Sequence, residues 1–332
     1  MALDLSRKTV QLSGGTPRSQ AVGETLMIRV RQLAGVCFAL LIFVAPAQGA
    51  MFETAAALTA SETYAGDPRF QSVGYLAGQV PAGGYEFAGS AVLISPEWVL
   101  TAGHVITRSD NSGYSDMMFS IDADILGGDP PVYYGADAWF AYPGFQGTAP
   151  LGTNHDIGLV HLATPVTEVE PAVLFTGVDQ RETLVHMAGY GYPGTASTGV
   201  GDFDGLKRAG DNVASGFGGD RPSWSSFESQ YWLAPFLYQD SDLQPLEWLS
   251  TPGDSGAGWF AEIGGEMQLV GINHGVSGSY GMFSDSMAIR VSLYADWINE
   301  TTGVPEPGTF SLLAVAGVVA VWWEGRRRRR KA

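Results

Sequence analysis

The chain is predicted to be an all-β protein, and three observations carry that prediction. Short apolar runs follow one another from about Phe52 to Thr302, Gly and Pro stand at the breaks, and helical periodicity is absent until the end of that stretch. Runs of this length bounded by turn residues make the strands of a barrel or sandwich. "EFAGSAVLISPEWVLTAGHV" holds two such runs joined by the turn residues Ser95-Pro96-Glu97. "HDIGLVHLATPV", "ETLVHMAGYGYPG", "GAGWFAEIGGEMQLVGINHG" and "SMAIRVSLY" continue the pattern. Residues 196–230, rich in Gly, Ser and Asp, read as a long loop region. "VSLYADWINETTG" predicts one short C-terminal helix ended by Gly303.

With 45% apolar and 11% aromatic residues, the 332-residue chain has ample material for a packed core. Its net charge of −16 is unevenly placed. Of 18 basic and 34 acidic residues, residues 1–49 hold five and two, and residues 304–332 hold six and two. Residues 50–303 therefore keep seven against 30, a formal charge of −23. So acidic a surface repels nucleic acid and anionic lipid, which argues against a nucleic-acid partner. The single cysteine, Cys37, lies outside that stretch, so the domain folds without disulfides or Cys-ligated zinc. A domain of about 250 residues buries enough surface to do so.

Both ends read as addresses. Residues 1–26 are an upstream extension with no functional content. Residues 27–49, "MIRVRQLAGVCFALLIFVAPAQG", open with Arg29 and Arg31, run apolar from Leu33 to Val44 and end on the small residues Ala47-Gln48-Gly49. That order predicts a signal peptide, the alternative being a buried core helix. Residues 50–303 form the folded domain. In residues 304–332, Val304-Pro305-Glu306-Pro307-Gly308 precedes an apolar run, Phe310 to Trp323, then five arginines and a lysine. The run is short for a membrane-spanning helix, and the basic tail would keep its end on the cytoplasmic side. Motif, apolar segment and basic tail together resemble the PEP-CTERM sorting signal of Gram-negative bacteria. The resemblance implies an exosortase-type partner and an exported domain, anchored in the cell envelope or extracellular. A plain C-terminal anchor is the alternative.

"STPGDSGAGWF" places Ser255 between Asp254 and glycine. A serine hydroxyl is a weak nucleophile that needs an imidazole base, which in turn needs a carboxylate to fix its tautomer. His104, closing "WVLTAGHV", stands where an apolar strand runs into small residues; Asp156 opens the apolar run of "HDIGLVHL". Taken singly, each has a plain structural explanation. Their order, His104, Asp156, Ser255, with gaps of 52 and 99 residues, is what gives them weight.

"LTAGHV", "HDIGLVHLATPV" and "TPGDSGAGWF" resemble the three catalytic blocks of the chymotrypsin-like (trypsin-fold) serine proteases, and both gaps are close to those of chymotrypsin. The likeness extends over about residues 68–300. It implies two six-stranded antiparallel Greek-key β-barrels and a serine endopeptidase acting on protein or peptide substrates with no cofactor and no metal. By position, Ser255 becomes the nucleophile, His104 the general acid and base, and Asp156 its orienter. The N–H groups of Gly253 and Ser255 form the oxyanion hole, and Gly253 has no side chain to crowd the incoming carbonyl. Leu249, six residues before the nucleophile, falls at the base of the substrate pocket, although a one-residue shift puts Trp248 or Ser250 there. No aspartate lies at that base, so Lys/Arg preference is not expected. His274 falls on the strand lining the cleft and is a second candidate for contact with substrate.

The departures from the family are informative. The disulfide that usually clamps the histidine loop is replaced by Ala88 and Val105, and Thr251 stands where a cysteine is usual. No Ile-Val-Gly-Gly sequence precedes "QSVGYLAG", so Asp254 needs a partner other than a freshly cut N-terminus. His155, His161, His186 and His274 fit no compact zinc motif. "GDFDGLKRAGDN" lacks calcium-loop spacing and reads as a solvated loop. The rival to the protease reading is a catalytically silent binding module displayed at the cell envelope.

Overall fold

The turn Ser95-Pro96-Glu97 does join two strands, β3 (Tyr85–Ser95) and β4 (Trp98–Thr101), which pair antiparallel. The computed structural model of the protein describes residues 50–303 apart from 82, 109–112, 146, 148–154, 219–230, 236–243, 279 and 281–283. The upstream extension, signal peptide and C-terminal sorting segment expected from the sequence lie outside the described residues. Among the described residues no helix is long and apolar enough to cross a membrane.

Before the first barrel come β1 (Ala50–Phe52) and helix α1 (Ala55–Tyr64). The barrel is closed in the order β2-β3-β4-β7-β6-β5, with β2 Val73–Gln79, β5 Asp116–Ser120, β6 Tyr134–Ala141 and β7 Gly158–Leu162. All neighbours in it are antiparallel. Val92, Leu100, Phe119, Leu159 and Val160 on its strands are fully buried, inside the barrel or against the second half. Each such side chain contributes about 1.5–3 kcal/mol by leaving water.

The second half is a curled sheet that stays open. It begins beside the short strand β8 (Val173–Leu174) and includes β9 (Thr183–Gly189) and β12 (Arg208–Ala214). It continues through β13 (Gly216–Phe217), β14 (Tyr231–Pro235), β15 (Gly258–Ile263), β16 (Glu266–Ser277) and β17 (Asp285–Arg290). The order is β12-β9-β15-β16-β17-β14-β13, with β8 pairing to β16. Its core packs Trp232, Trp248 and Trp259 against Phe52 and Met187. Of the two six-stranded barrels expected, one is therefore closed and the other is this curled sheet. After β17 the C-terminal helix Ala295–Thr302 returns the chain to the first barrel and packs Ile298 into its core cluster. Gly303 ends it in the left-handed conformation at φ 66°, as the sequence predicts.

Two elements differ from expectation. Helix α1 was not foreseen, because "AAALTASETY" carries no apolar stripe; its start is fixed by the Thr54 hydroxyl, which accepts from Ala57 N at 3.1 Å. Residues 196–230 are not one long loop either. After the short strands β10 (Pro193–Thr195) and β11 (Gly199–Val200), strand β12 pairs residue for residue with β9. Lys207, Arg208 and Asn212 are buried in what the sequence suggested was a solvated loop. Their charged ends are paired there, though Arg208 Nε stays buried without a partner: Arg208 reaches Asp204 and Glu62, each at 2.7 Å, and Lys207 Nζ donates to Val73 O at 2.9 Å. Asp204 is thus committed to an arginine rather than left open to a cation.

Candidate active site

The site lies where the barrel meets the curled sheet. Strand β4 ends at Thr101, and the next residues coil into the one-turn helix α2 (Gly103–Ile106) that carries His104. Asp156 stands two residues before β7, its side chain only 1% exposed. His155, just ahead of it, takes the left-handed conformation at φ 44°, uncommon for a residue with a side chain. Its ring holds that conformation by a 2.9 Å hydrogen bond to the Tyr294 hydroxyl and by packing on Tyr142.

Asp156 grips His104 twice. Oδ1 accepts the His104 backbone N–H at 2.7 Å, and Oδ2 lies 2.6 Å from His104 Nδ1. Burial alone would raise the Asp156 carboxyl, but the His104 charge and the hydrogen bonds from His104 and His274 hold it well below the usual carboxylate range. Burial likewise pulls His104 down, and the Asp156 carboxylate outweighs it, so the imidazole is raised above its ordinary value.

Ser255 is set by contacts across the two halves. Ser90 N of β3 donates to Ser255 O at 2.7 Å, and Ser90 Oγ donates to Gly253 O at 2.9 Å. Gly256, at φ 85°, must be glycine: a Cβ there would lie 1.9 Å from Ser90 O. Gly253, at φ 95°, is also constrained, but by a neighbour the sequence did not suggest, since its Cβ would meet the Phe87 ring at 2.6 Å. Among the described residues neither Gly253 N nor Ser255 N donates to a protein acceptor. Two adjacent undonated amides are what an oxyanion requires.

The Ser255 hydroxyl does not hydrogen-bond to His104. It faces the His274 carbonyl oxygen at 3.5 Å. The His274 ring, expected against substrate, is turned to Asp156: its Nδ1 contacts the same Oδ2 that holds His104. Leu249 is fully buried, packed with Met51, and their backbones exchange two 3.1 Å hydrogen bonds. A cavity of about 540 Å³ lined by Phe175, Trp232 and Glu262 lies on the curled sheet, and none of His104, Asp156 or Ser255 lines it.

His104, Asp156 and His274 offer three potential metal-ligand atoms within 4.8 Å of one another. Tetrahedral zinc, with bonds of about 2.0–2.2 Å, keeps its ligand atoms about 3.3 Å apart. His104 Nδ1 and Asp156 Oδ2 are closer than that, at hydrogen-bond distance. A metal on His274 Nδ1 would also place the ring proton on Nε2, which is buried with no partner. The arrangement suits shared protons better than a cation. His161 pairs with Asp137 at 2.5 Å and His186 with Asp211 at 2.7 Å, each away from the cleft.

Residues 61–204 match the model of the Trypsin family. The fold is similar to that of neuropsin, a serine protease expressed in the limbic system of mouse brain, at a TM-score of 0.54. Sequence identity is 17%, over 71% of this chain and 96% of that one. No curated protein matches the sequence. The chain has a trypsin-like fold.

The family match includes His104 and Asp156 and stops short of Ser255, so the serine rests on its own motif and surroundings. Two departures from the family pattern gain a structural account. Val105 packs so close to Gly89, the neighbour of Ala88, that a Cβ on Gly89 would lie 2.8 Å from a Val105 methyl. Asp254, fully buried, takes its donors from within the chain: Gly191 N at 2.8 Å, Thr251 N at 3.0 Å and Thr251 Oγ1 at 2.9 Å.

Proposed function

We propose that residues 50–303 form an exported serine endopeptidase, with Ser255 as nucleophile, His104 as general base and acid, and Asp156 as the group that orients His104. The observation that carries this reading is the double grip of Asp156 on His104, backbone and ring at 2.7 and 2.6 Å, in the cleft that also holds Ser255. The Ser255 oxygen attacks the peptide carbonyl as its proton passes to His104 Nε2, while the oxyanion accepts from Gly253 N and Ser255 N. His104 then returns the proton to the leaving amine. Water, activated by the same imidazole, hydrolyses the acyl-enzyme. An apolar Leu249, packed with Met51 and Val276, supports a small or apolar side chain before the cut bond.

The two terminal segments support delivery to the cell envelope of a Gram-negative bacterium, with an exosortase-type enzyme as partner and any membrane contact made through residues 304–332. A second reading, a silent trypsin-like binding module, is favoured by one observation: Ser255 Oγ faces His274 O instead of His104. Catalytic hydrogen bonds are often long or misaligned before substrate binds, so that contact alone does not decide. Labelling with a fluorophosphonate probe, set beside Ser255→Ala, does. Labelled wild type and unlabelled variant are expected; a folded, unlabelled wild type overturns the protease reading.

A further inference from the structure

The 540 Å³ cavity on the curled sheet takes no part in the chemistry above. Trp232 of β14, Val270 of β16 and Phe175 form its buried apolar floor, and the exposed Val178 and Glu262 stand at its rim. Successive side chains of a strand point to opposite faces. Tyr231 accordingly packs on His274 in the cleft, its ring centroid 5.1 Å away, while its neighbour Trp232 lines the cavity. An occupant of the cavity therefore lies across the sheet from the cleft. The volume is that of a site for a small organic group.

Charge selects the occupant. Asp179 and Glu262 both line the cavity, and among the described residues no lysine, arginine or histidine does. The guanidinium groups of Arg290 and Arg181 lie over the Phe217 ring, at 4.2 and 4.9 Å from its centroid. Residues 50–303, at a formal charge of −23, attract cations to the whole surface.

Asp179 is used on one side only. Its side chain is fully buried, and Arg290 Nε and Nη2 each donate to Oδ2 at 2.8 Å. The Ser292 hydroxyl donates to the same oxygen. Oδ1 is buried with no partner among the described residues. A carboxylate offers about four lone-pair sites, and leaving one oxygen of a buried carboxylate unpaired is costly. A cationic donor reaching Oδ1 from the cavity removes that cost, and the Trp232 and Phe175 rings suit the cation or its apolar body.

We propose that this cavity binds an organic cation. A primary ammonium or guanidinium group donates to Asp179 Oδ1 and pairs with Glu262, and an aromatic or alkyl body packs on Trp232 and Phe175. A free amine and a basic side chain of a polypeptide present the same chemistry. The site stands whether or not Ser255 is a nucleophile.

The test titrates the full chain calorimetrically with phenethylamine, an ammonium at neutral pH, and with its neutral isostere 2-phenylethanol. The amine is expected to bind at least ~10-fold more tightly, the usual weight of a hydrogen bond to a charged group. Equal binding of the alcohol would overturn the proposal. Glu262→Lys, at an exposed position that leaves the core intact, is expected to weaken the amine ~10-fold, and so is Asp179→Asn. Unchanged affinity in Glu262→Lys would place the amine elsewhere and overturn the proposal, even if Asp179→Asn fails to fold. A structural readout uses the Trp232 indole N–H, assigned by its loss in Trp232→Phe. Its NMR signal is expected to shift as amine is added, and a stationary signal would overturn the site. Acetyl-Phe-Lys-amide is titrated in parallel. Tighter binding of the peptide assigns the site to a polypeptide side chain, tighter binding of the amine to a small molecule, and failure of both overturns it.

Discussion

Thr251 gives Asp254 two hydrogen bonds, from its backbone N–H at 3.0 Å and from its hydroxyl at 2.9 Å, both to Oδ2. The carboxylate beside Ser255 is thus steadied by a residue three positions earlier, with Gly191 N completing the set. Thr251→Val keeps the shape and removes the hydroxyl. It is expected to destabilise the fold by about 1–3 kcal/mol, because a buried acceptor loses a donor, and to slow fluorophosphonate labelling ~10-fold. Thermal melts and labelling rates read both. If the donors are internal, active protein also carries no new terminus near Gln71; N-terminal sequencing that found one would falsify that account.

Asp254 should make stability depend on pH. Burial is the largest influence on it and, against its three donors, lifts the carboxyl from the usual 3.8 to about 7. A raised folded-state value means the folded chain keeps a proton that the unfolded chain has released. The contribution of Asp254 is therefore fully present below pH 4, declines as pH rises to 7 and is constant above, a change of up to about 4 kcal/mol. Urea unfolding from pH 4 to 8 is expected to show a shallower decline in Asp254→Asn than in wild type. Parallel curves would count against it.

Lys207 gives the opposite slope in a separate window. Its ammonium is buried among backbone carbonyls, with Val73 O at 2.9 Å, and burial lowers it from 10.5 to about 8. Between those values the unfolded chain holds the proton that the folded chain has lost, so stability rises with pH. The gain is absent below 8 and complete above 10.5, at about 3 kcal/mol. In Lys207→Met the rise between pH 8 and 10.5 is expected to vanish, as measured by denaturant midpoints across that range.

The legible parts of the sequence were those whose signal is local. "LTAGHV", "HDIG" and "GDSG" named His104, Asp156 and Ser255 because each sits at a strand end or tight turn written into its neighbours. Gly303 ended its helix for the same reason. What was not legible depends on pairing between distant residues. The ring of His274 reaches Asp156 only because of a bulge set by the register of β16 on β17. Thr251 looked like a lost cysteine and is a donor. Strand β12 and Lys207 just before it read as loop because Lys207 and Arg208 find their partners as far away as Val73 and Glu62. Ser90, which ties the nucleophile's loop to the barrel, carried no sequence signal beyond lying in an apolar run.

Leu249 and Met51 yield the last prediction, on specificity. The two side chains are buried together with Val276 packed against them, so the wall behind Leu249 is built from the start of the domain. An apolar wall of this kind suits an apolar side chain. Peptide-library profiling is expected to return small or apolar residues before the cut bond, and strict cleavage after arginine would refute it. Met51→Ala should leave a cavity behind Leu249, costing about 2–5 kcal/mol of stability. If Leu249 does floor the pocket, the variant also shifts preference toward larger apolar side chains, because Leu249 can move back into the vacated space. An unchanged profile in a destabilised variant would assign Leu249 to the core alone and move the pocket base to Ser250, whose hydroxyl donates to Gly275 O at 3.0 Å.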